Sequence, residues 1–247
     1  MYFLTLPELK HDLSLSGTDA GCEFIAGNDK YLTAIIGIAE DQSQLVIMKD
    51  ALFALINLTT HAHIAQKIAT LSSKPDLIMT LLKWVLKADF KYGDIVSSIL
   101  ANMSRDEECA KLIVKQILAN QDSVGFDKLI TVFCTIDYNK ENKLHYLGSV
   151  LSNLTQIQET RQYILDKKRC VVQRLLPFTE YKESVIRRAG AVATLKNCSF
   201  ETGMKLNSVK KRNQTYIIMT SHIKLVKCNS TNYGKKDVND QICIFLD

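Results

Sequence analysis

Three prolines and ten glycines in 247 residues are too few turn residues for a fold of many short strands. Helices joined by short turns are expected instead. No uncharged apolar stretch of about 18 residues occurs, so there is no candidate membrane-spanning helix. The opening MYFLTLPELKHDL has an apolar patch but no basic start followed by a continuous apolar run, and no secretory signal is expected. The patterns G-x-x-x-x-G-K-[ST], G-x-G-x-x-G and G-x-S-x-G are also missing, which removes the commonest routes to nucleotide binding and serine hydrolysis. Seven cysteines, odd in number and never in CxxC, fit reduced thiols in the cytosol better than a disulfide framework or a zinc site. The expectation is a cytoplasmic, non-enzymatic protein that uses no cofactor or metal.

A net charge of +5 invites a nucleic-acid reading until it is located. From residue 203 onward there are eight Lys or Arg against three Asp, whereas residues 1–202 carry 23 of each sign. A general electrostatic grip on phosphates is therefore not expected of the body.

What the chain does hold is a pattern occurring four times: ALFALINLT, IVSSILANMS, HYLGSVLSNLT and GAVATLKNCS. Their asparagines, Asn57, Asn102, Asn153 and Asn197, are separated by 45, 51 and 44 residues. A helical period near this length marks armadillo or HEAT arrays, whose units bury their apolar faces by stacking on one another. Small or apolar residues recur six, three and two positions before each asparagine and one after it, which is one face of a helix. They are Ala51, Ala54, Leu55 and Leu58; Val96, Ile99, Leu100 and Met103; Leu147, Val150, Leu151 and Leu154; and Ala191, Thr194, Leu195 and Cys198. The predicted fold is an all-α, armadillo/HEAT-like solenoid of about four repeats spanning 1–202, followed by a basic, disordered tail at 203–247.

At about 100° per residue each asparagine lies on the flank of that apolar face. A row of side-chain amides there has two uses. It can hold the backbone of an extended partner segment while ignoring its side chains, or each amide can bond to an inter-repeat loop near a helix end.

Along the chain, DLSLSGTDAGCEFIAG resembles the end of a degraded repeat, and Ser43 is a candidate N-cap for the helix ending at Leu58. A turn is expected at Ser72 and Ser73, with Pro75 in the first turn of the next helix. Ser104-Arg105-Asp106-Glu107 and Thr155-Gln156-Ile157-Gln158 read as capping boxes that start the following units. The N-x-[ST] sequons formed by the ladder asparagines read as by-products of repeat capping. Trp84 is assigned to packing and His145 to packing or hydrogen bonding, and His61 and His63, two apart, have the wrong spacing for a helical metal site. Arg187 and Arg188 are assigned to a solvated basic face, with an acidic partner patch as the sharper alternative.

At HYLGSVLSNLTQ, Arg169 to Phe178 (RCVVQRLLPF) and Arg187 to Ser199 (RRAGAVATLKNCS), the chain closely resembles the Hgh family of armadillo-type proteins, from about Leu13 through Glu201. The resemblance implies a cytosolic, all-helical chaperone dedicated to translation elongation factor two and working with the cytosolic chaperone machinery. Family members continue past Phe200 with further helices, whereas this sequence switches to the basic tail. That switch is expected of an alternative splice form or a gene model that ran into an intron, and an uncapped last repeat is expected to self-associate.

The rival within the same architecture is a nuclear-import adaptor for basic peptides, which places tryptophans one turn before its ladder asparagines. Those positions here hold Phe53, Ser98, Ser149 and Ala193. An RNA-binding repeat protein is the other rival. It needs variable polar pairs and a basic groove, neither of which this neutral array carries.

Overall fold

The structure is a computed structural model that describes residues 15–71 and 77–203, with side chains as far as residue 200. Every regular element among the described residues is helical, and the helices fall into four groups. The first is α1 (Asp19–Ala26), α2 (Asp29–Glu40) and α3 (Leu45–Leu58). The second is α4 (Ala62–Leu71), α5 (Leu77–Val85) and α6 (Gly93–Met103). The third is α7 (Glu107–Ala119), the one-turn α8 (Gln121–Val124), α9 (Phe126–Cys134) and α10 (Leu147–Leu154). The fourth is α11 (Gln158–Leu165), α12 (Val171–Leu175) and α13 (Val185–Gly203), with 3-10 turns at Lys167–Arg169 and Leu176–Glu180. Helices α3, α6, α10 and α13 carry the four asparagines, and α3 packs on α6 and α6 on α10. None of the described helices is long and apolar enough to cross a membrane. The turn expected at Ser72 and Ser73, Pro75 and the tail from residue 204 lie outside the described residues.

The periodicity read from sequence is the core. Each residue named six, three and two positions before an asparagine, and one after, is at most 2% exposed. Burying one Leu or Ile side chain contributes roughly 1.5–3 kcal/mol, against about 1 kcal/mol net for a hydrogen bond. Packing of these stripes therefore outweighs the polar contacts between repeats. Trp84 is part of the same core, stacked on Phe90 with ring centroids 4.9 Å apart.

Helix starts differ from expectation in three places. Ser43 does not cap α3: Gln44 precedes the helix without a side-chain cap bond, and the Ser43 N–H donates to Asp41 Oδ1 at 2.9 Å. Neither S/T-x-x-E/Q box forms. Helix α7 is capped by Asp106, whose Oδ1 accepts from the Cys109 N–H at 2.9 Å, and α11 begins after Ile157 with no side-chain cap. Ser104 and Thr155 instead close the preceding helices. Both hydroxyls donate to carbonyls of their own last turn, at Ala101 and Ser152. A three-residue step then separates one helix from the next, ending on the capping carboxylate of Asp106 in the first case and on Ile157, without a cap, in the second. The stretch DLSLSGTDAGCEFIAG divides: its second half, Asp19–Ala26, is a helix that begins a unit rather than ending one. Ser16 stands where Thr59 stands one repeat later, and α1 opens a full repeat.

The 51-residue spacing has a structural cause. Between α9 and α10 runs an irregular segment, 135–146, pinned to the second repeat. Buried Asn139 and Asn142 both donate to the Phe90 carbonyl, at 2.9 and 3.2 Å, and Asn142 also donates to Lys91 O at 3.1 Å. In return the Asp94 N–H donates to Asn142 Oδ1 at 3.1 Å, while Asp94 Oδ1 accepts from the Leu144 N–H at 2.6 Å. Leu144 has φ 54°, a left-handed conformation that costs an ordinary residue about 1 kcal/mol or more, and this bond holds it there.

Candidate functional site

The asparagines occupy corresponding places on the four ladder helices, and the donor half of each amide is used inside the fold. Asn102 Nδ2 donates to the Ile56 carbonyl at 3.1 Å and to Thr59 Oγ1 at 3.4 Å. Asn153 Nδ2 donates to Ala101 O at 3.0 Å and Ser104 Oγ at 3.1 Å. Asn197 Nδ2 reaches Ser152 O at 3.3 Å and Thr155 Oγ1 at 2.8 Å, and Asn57 Nδ2 reaches Ser16 Oγ at 3.4 Å. The bonds of Asn102, Asn153 and Asn197 run to the end of the ladder helix before, and that of Asn57 runs to Ser16, ahead of α1. The second of the two readings left open by the sequence thus accounts for the nitrogens.

It does not account for the oxygens. Asn57 is exposed and the other three are half-buried, and no Oδ1 takes part in a hydrogen bond among the described residues. Neighbouring uncharged groups behave alike. Thr60 Oγ1 donates to Asn57 O at 2.6 Å, Ser98 Oγ to Asp94 O at 2.9 Å, Ser152 Oγ to Ser149 O at 2.9 Å, and Gln156 Nε2 to Ser104 O at 2.8 Å. Their protons face helix carbonyls, leaving lone pairs for the outside.

One turn before the asparagines, only Phe53 is large. It is 46% exposed with Lys49 Nζ 5.7 Å from its ring centroid. Ser149 and Ala193 are half-buried, like Ser98. Lys49, Asp50 and Arg105 are exposed charges on the ladder helices or just beyond their ends.

Arg187 departs from the solvated face assigned to it. It is 2% exposed, with its guanidinium 5.3 to 5.7 Å from the rings of Phe133, Phe178 and Tyr181. One nitrogen donates to the Lys143 carbonyl at 2.8 Å while Nε has no partner. Burial pulls its pKa down. His145 is close enough to feel this cation: burial first, then Arg187, lowers its pKa, and its Nδ1 is buried without a hydrogen bond. Arg188 remains half-buried and donates to Tyr181 O at 2.7 Å. His61 and His63 face Asp19 and Glu23 at 3.5 and 3.1 Å. No group of three or more His, Cys, Asp or Glu among the described residues is placed to hold a metal ion.

Sequence reasoning missed Ser16, Thr59, Ser104 and Thr155 as the acceptors for the amides. The signal was available: a hydroxyl follows two places after Asn57, Asn102 and Asn153, and it serves the asparagine of the next repeat.

Comparison with known proteins agrees with this architecture. The chain resembles a designed armadillo repeat protein, YIII(Dq)4CqI, with a TM-score of 0.60 at 14% identity, covering 89% of this chain and 92% of that one. It is also similar to computationally designed armadillo repeat proteins for modular peptide recognition, with a TM-score of 0.62 at 13% identity over 88% and 91%. In sequence it is 40% identical over 189 residues to the protein HGH1 homolog of Danio rerio, 39% over 193 to that of Mus musculus and 36% over 194 to that of Homo sapiens. These alignments cover 76 to 78% of this chain and 48% of each relative, so the chain spans about half the length of the relatives it matches. Residues 84–237 match the family model described as Domain of unknown function (DUF383). With an armadillo-type array of repeats and a family match over more than half its length, the chain belongs to the HGH1 (DUF383) family.

Proposed function

We propose that this helical-repeat scaffold is a non-enzymatic client-binding chaperone, acting in the cytoplasm, whose client is translation elongation factor two and which hands that client on within the cytosolic chaperone machinery. The observation that carries the binding part is the row of outward carboxamide oxygens at Asn57, Asn102, Asn153 and Asn197. The identity of the client rests on the resemblance to the Hgh family. Side-chain amides spaced one per repeat suit the backbone of an extended or incompletely folded chain, because every residue offers the same backbone groups whatever its side chain.

A nuclear-import adaptor is disfavoured because lysine stems need aromatic plates, and only Phe53 stands in that row. An RNA reader is disfavoured by a body with equal numbers of positive and negative side chains. The test is affinity capture from a eukaryotic lysate with the full chain and with Asn102→Ala/Asn153→Ala, matched for folding by circular dichroism. Elongation factor two is expected in the wild-type eluate and depleted in the variant. Its absence from both would refute the client, and equal recovery would move the contact off the ladder.

A further inference from the structure

We infer that the ladder face reads its partner through backbone N–H groups alone, and that the partner is a neutral-to-acidic segment lying extended along the row. This rests on the peptide-binding reading above and adds the chemistry of the ligand. A carboxamide has two donors and one acceptor oxygen, and a free one would grip a peptide by both an N–H and a carbonyl. In this array the nitrogen is committed. Asn102, Asn153 and Asn197 each place it on a carbonyl and a hydroxyl of the preceding repeat, at 2.8 to 3.4 Å. Those carbonyl acceptors also fix which end of each amide points inward, since an oxygen there would face an oxygen.

The surrounding floor repeats the arrangement. The hydroxyls of Thr60, Ser98 and Ser152 spend their protons on helix carbonyls, and Gln156 spends an amide proton on Ser104 O. At Asn102, Asn153 and Asn197 an incoming carbonyl would meet lone pairs. An incoming N–H would meet acceptors. In an extended segment the N–H groups of alternate residues point to the same side, so contact falls on residues of one parity, and proline is excluded at those positions because it has no N–H.

Charge selects between a backbone edge and a basic side chain as the source of donors. Lys49 is exposed on α3 and Arg105 just beyond α6, and Asp50 is the exposed carboxylate on those helices; Glu107 and Glu108, exposed at the start of α7, are paired with Lys111, and Asp19 faces His61. The carboxylate of Asp94 is already occupied by the N–H groups of Leu144 at 2.6 Å and Lys143 at 3.3 Å. Among the described residues the ladder helices carry no row of free carboxylates to hold lysines or arginines, and the cations present favour a segment bearing carboxylates.

The experiment uses the full chain and an array of overlapping peptides spanning elongation factor two. The tightest-binding peptide is resynthesised with a single N-methyl group at each position in turn, and with each acidic residue replaced by its amide. Because N-methylation alters only the ligand, folding of the protein is not in question. The expected result is at least tenfold weaker binding for N-methylation at alternate positions, little change at the intervening ones, and weakening when acidic residues become amides. Uniform effects of N-methylation, or a dependence on lysine and arginine side chains instead, would overturn the inference while leaving a ladder-bound peptide standing. Failure of every peptide to bind, or equal binding by Asn102→Ala/Asn153→Ala, would overturn the groove itself.

Discussion

Gly190 on α13 lies directly against Gly148 on α10: a Cβ built on Gly190 would sit 2.2 Å from the Gly148 carbonyl carbon and 2.4 Å from its Cα. Nothing there is a flexible side chain, so the backbones themselves would have to part. Overpacking of this kind costs about 1–3 kcal/mol and more where the obstacle is main chain. Gly190→Ala is expected to lower the urea midpoint by the equivalent of about 3 kcal/mol. Gly37→Ala is the control, exposed in α2 with no atom within 4 Å of the added Cβ. It should stabilise by about 0.5–1 kcal/mol through helix propensity.

Asn153→Ala removes two inter-repeat hydrogen bonds, to Ala101 O and Ser104 Oγ. The loss expected is about 1–2 kcal/mol, smaller than the cost of Leu151→Ala on the core face of the same helix, about 2–5 kcal/mol. Chemical denaturation of both variants checks the order. Equal losses would mean that the amide, rather than the packing, holds the third repeat to the second.

Cysteine reactivity separates by position. Burial pushes the Cys109 thiol up to about 12, with Asp106 adding to the shift, and the Cys134 thiol up to about 11. Cys170 is exposed on the turn before α12. Peptide mapping after brief treatment with a thiol reagent at pH 8 should find Cys170 modified well before Cys109 and Cys134. The reverse order would contradict the packing of α7 and α9.

His145 gives the array an acid-sensitive joint. Its folded-state pKa lies below the ordinary histidine value, because burial and the Arg187 cation both disfavour a second charge. Above about pH 6.5 it is neutral in the folded and unfolded chains alike. As pH falls below that, the unfolded chain gains the proton first, and stability is lost down to the folded-state pKa. The stability difference between wild type and His145→Gln should therefore change as the pH falls below about 6.5 and stay constant above pH 7. A pH-independent difference would show that the imidazole is not held neutral.

Arg187 stands among three aromatic rings with a single backbone acceptor. Arg187→Ala should cost about 3 kcal/mol, since it leaves both a cavity and the Lys143 carbonyl without its donor. Arg187→Met, which refills the volume without a charge, should recover most of that loss. Thermal melts of the two variants side by side decide it.

The ladder helices were legible because their stripe repeats four times and a buried stripe leaves little choice of residue. The capping boxes misled because S-x-x-E describes a local preference, whereas the hydroxyls of Ser104 and Thr155 answer to an asparagine in the next repeat, 49 and 42 residues away. A window of four residues cannot contain that partner. Arg187 was placed in solvent because a charge is seldom buried without a carboxylate. Its acceptor is the Lys143 backbone, 44 residues away, and one of its walls is Phe133 on α9, also distant in sequence; only Phe178 and Tyr181 are near neighbours. The pinned segment at 135–146 was visible only as an extra few residues between asparagines. Nothing in its composition announced that Asn139 and Asn142 would be buried.

Every ladder amide donates backward, toward the amino terminus, and none forward. As a nascent chain leaves the ribosome, the unit already formed thus presents acceptors that water can satisfy without strain, and the following unit arrives carrying the protons that complete the pair. An array that stops after any ladder helix therefore leaves open acceptors rather than open donors at its carboxyl-terminal edge.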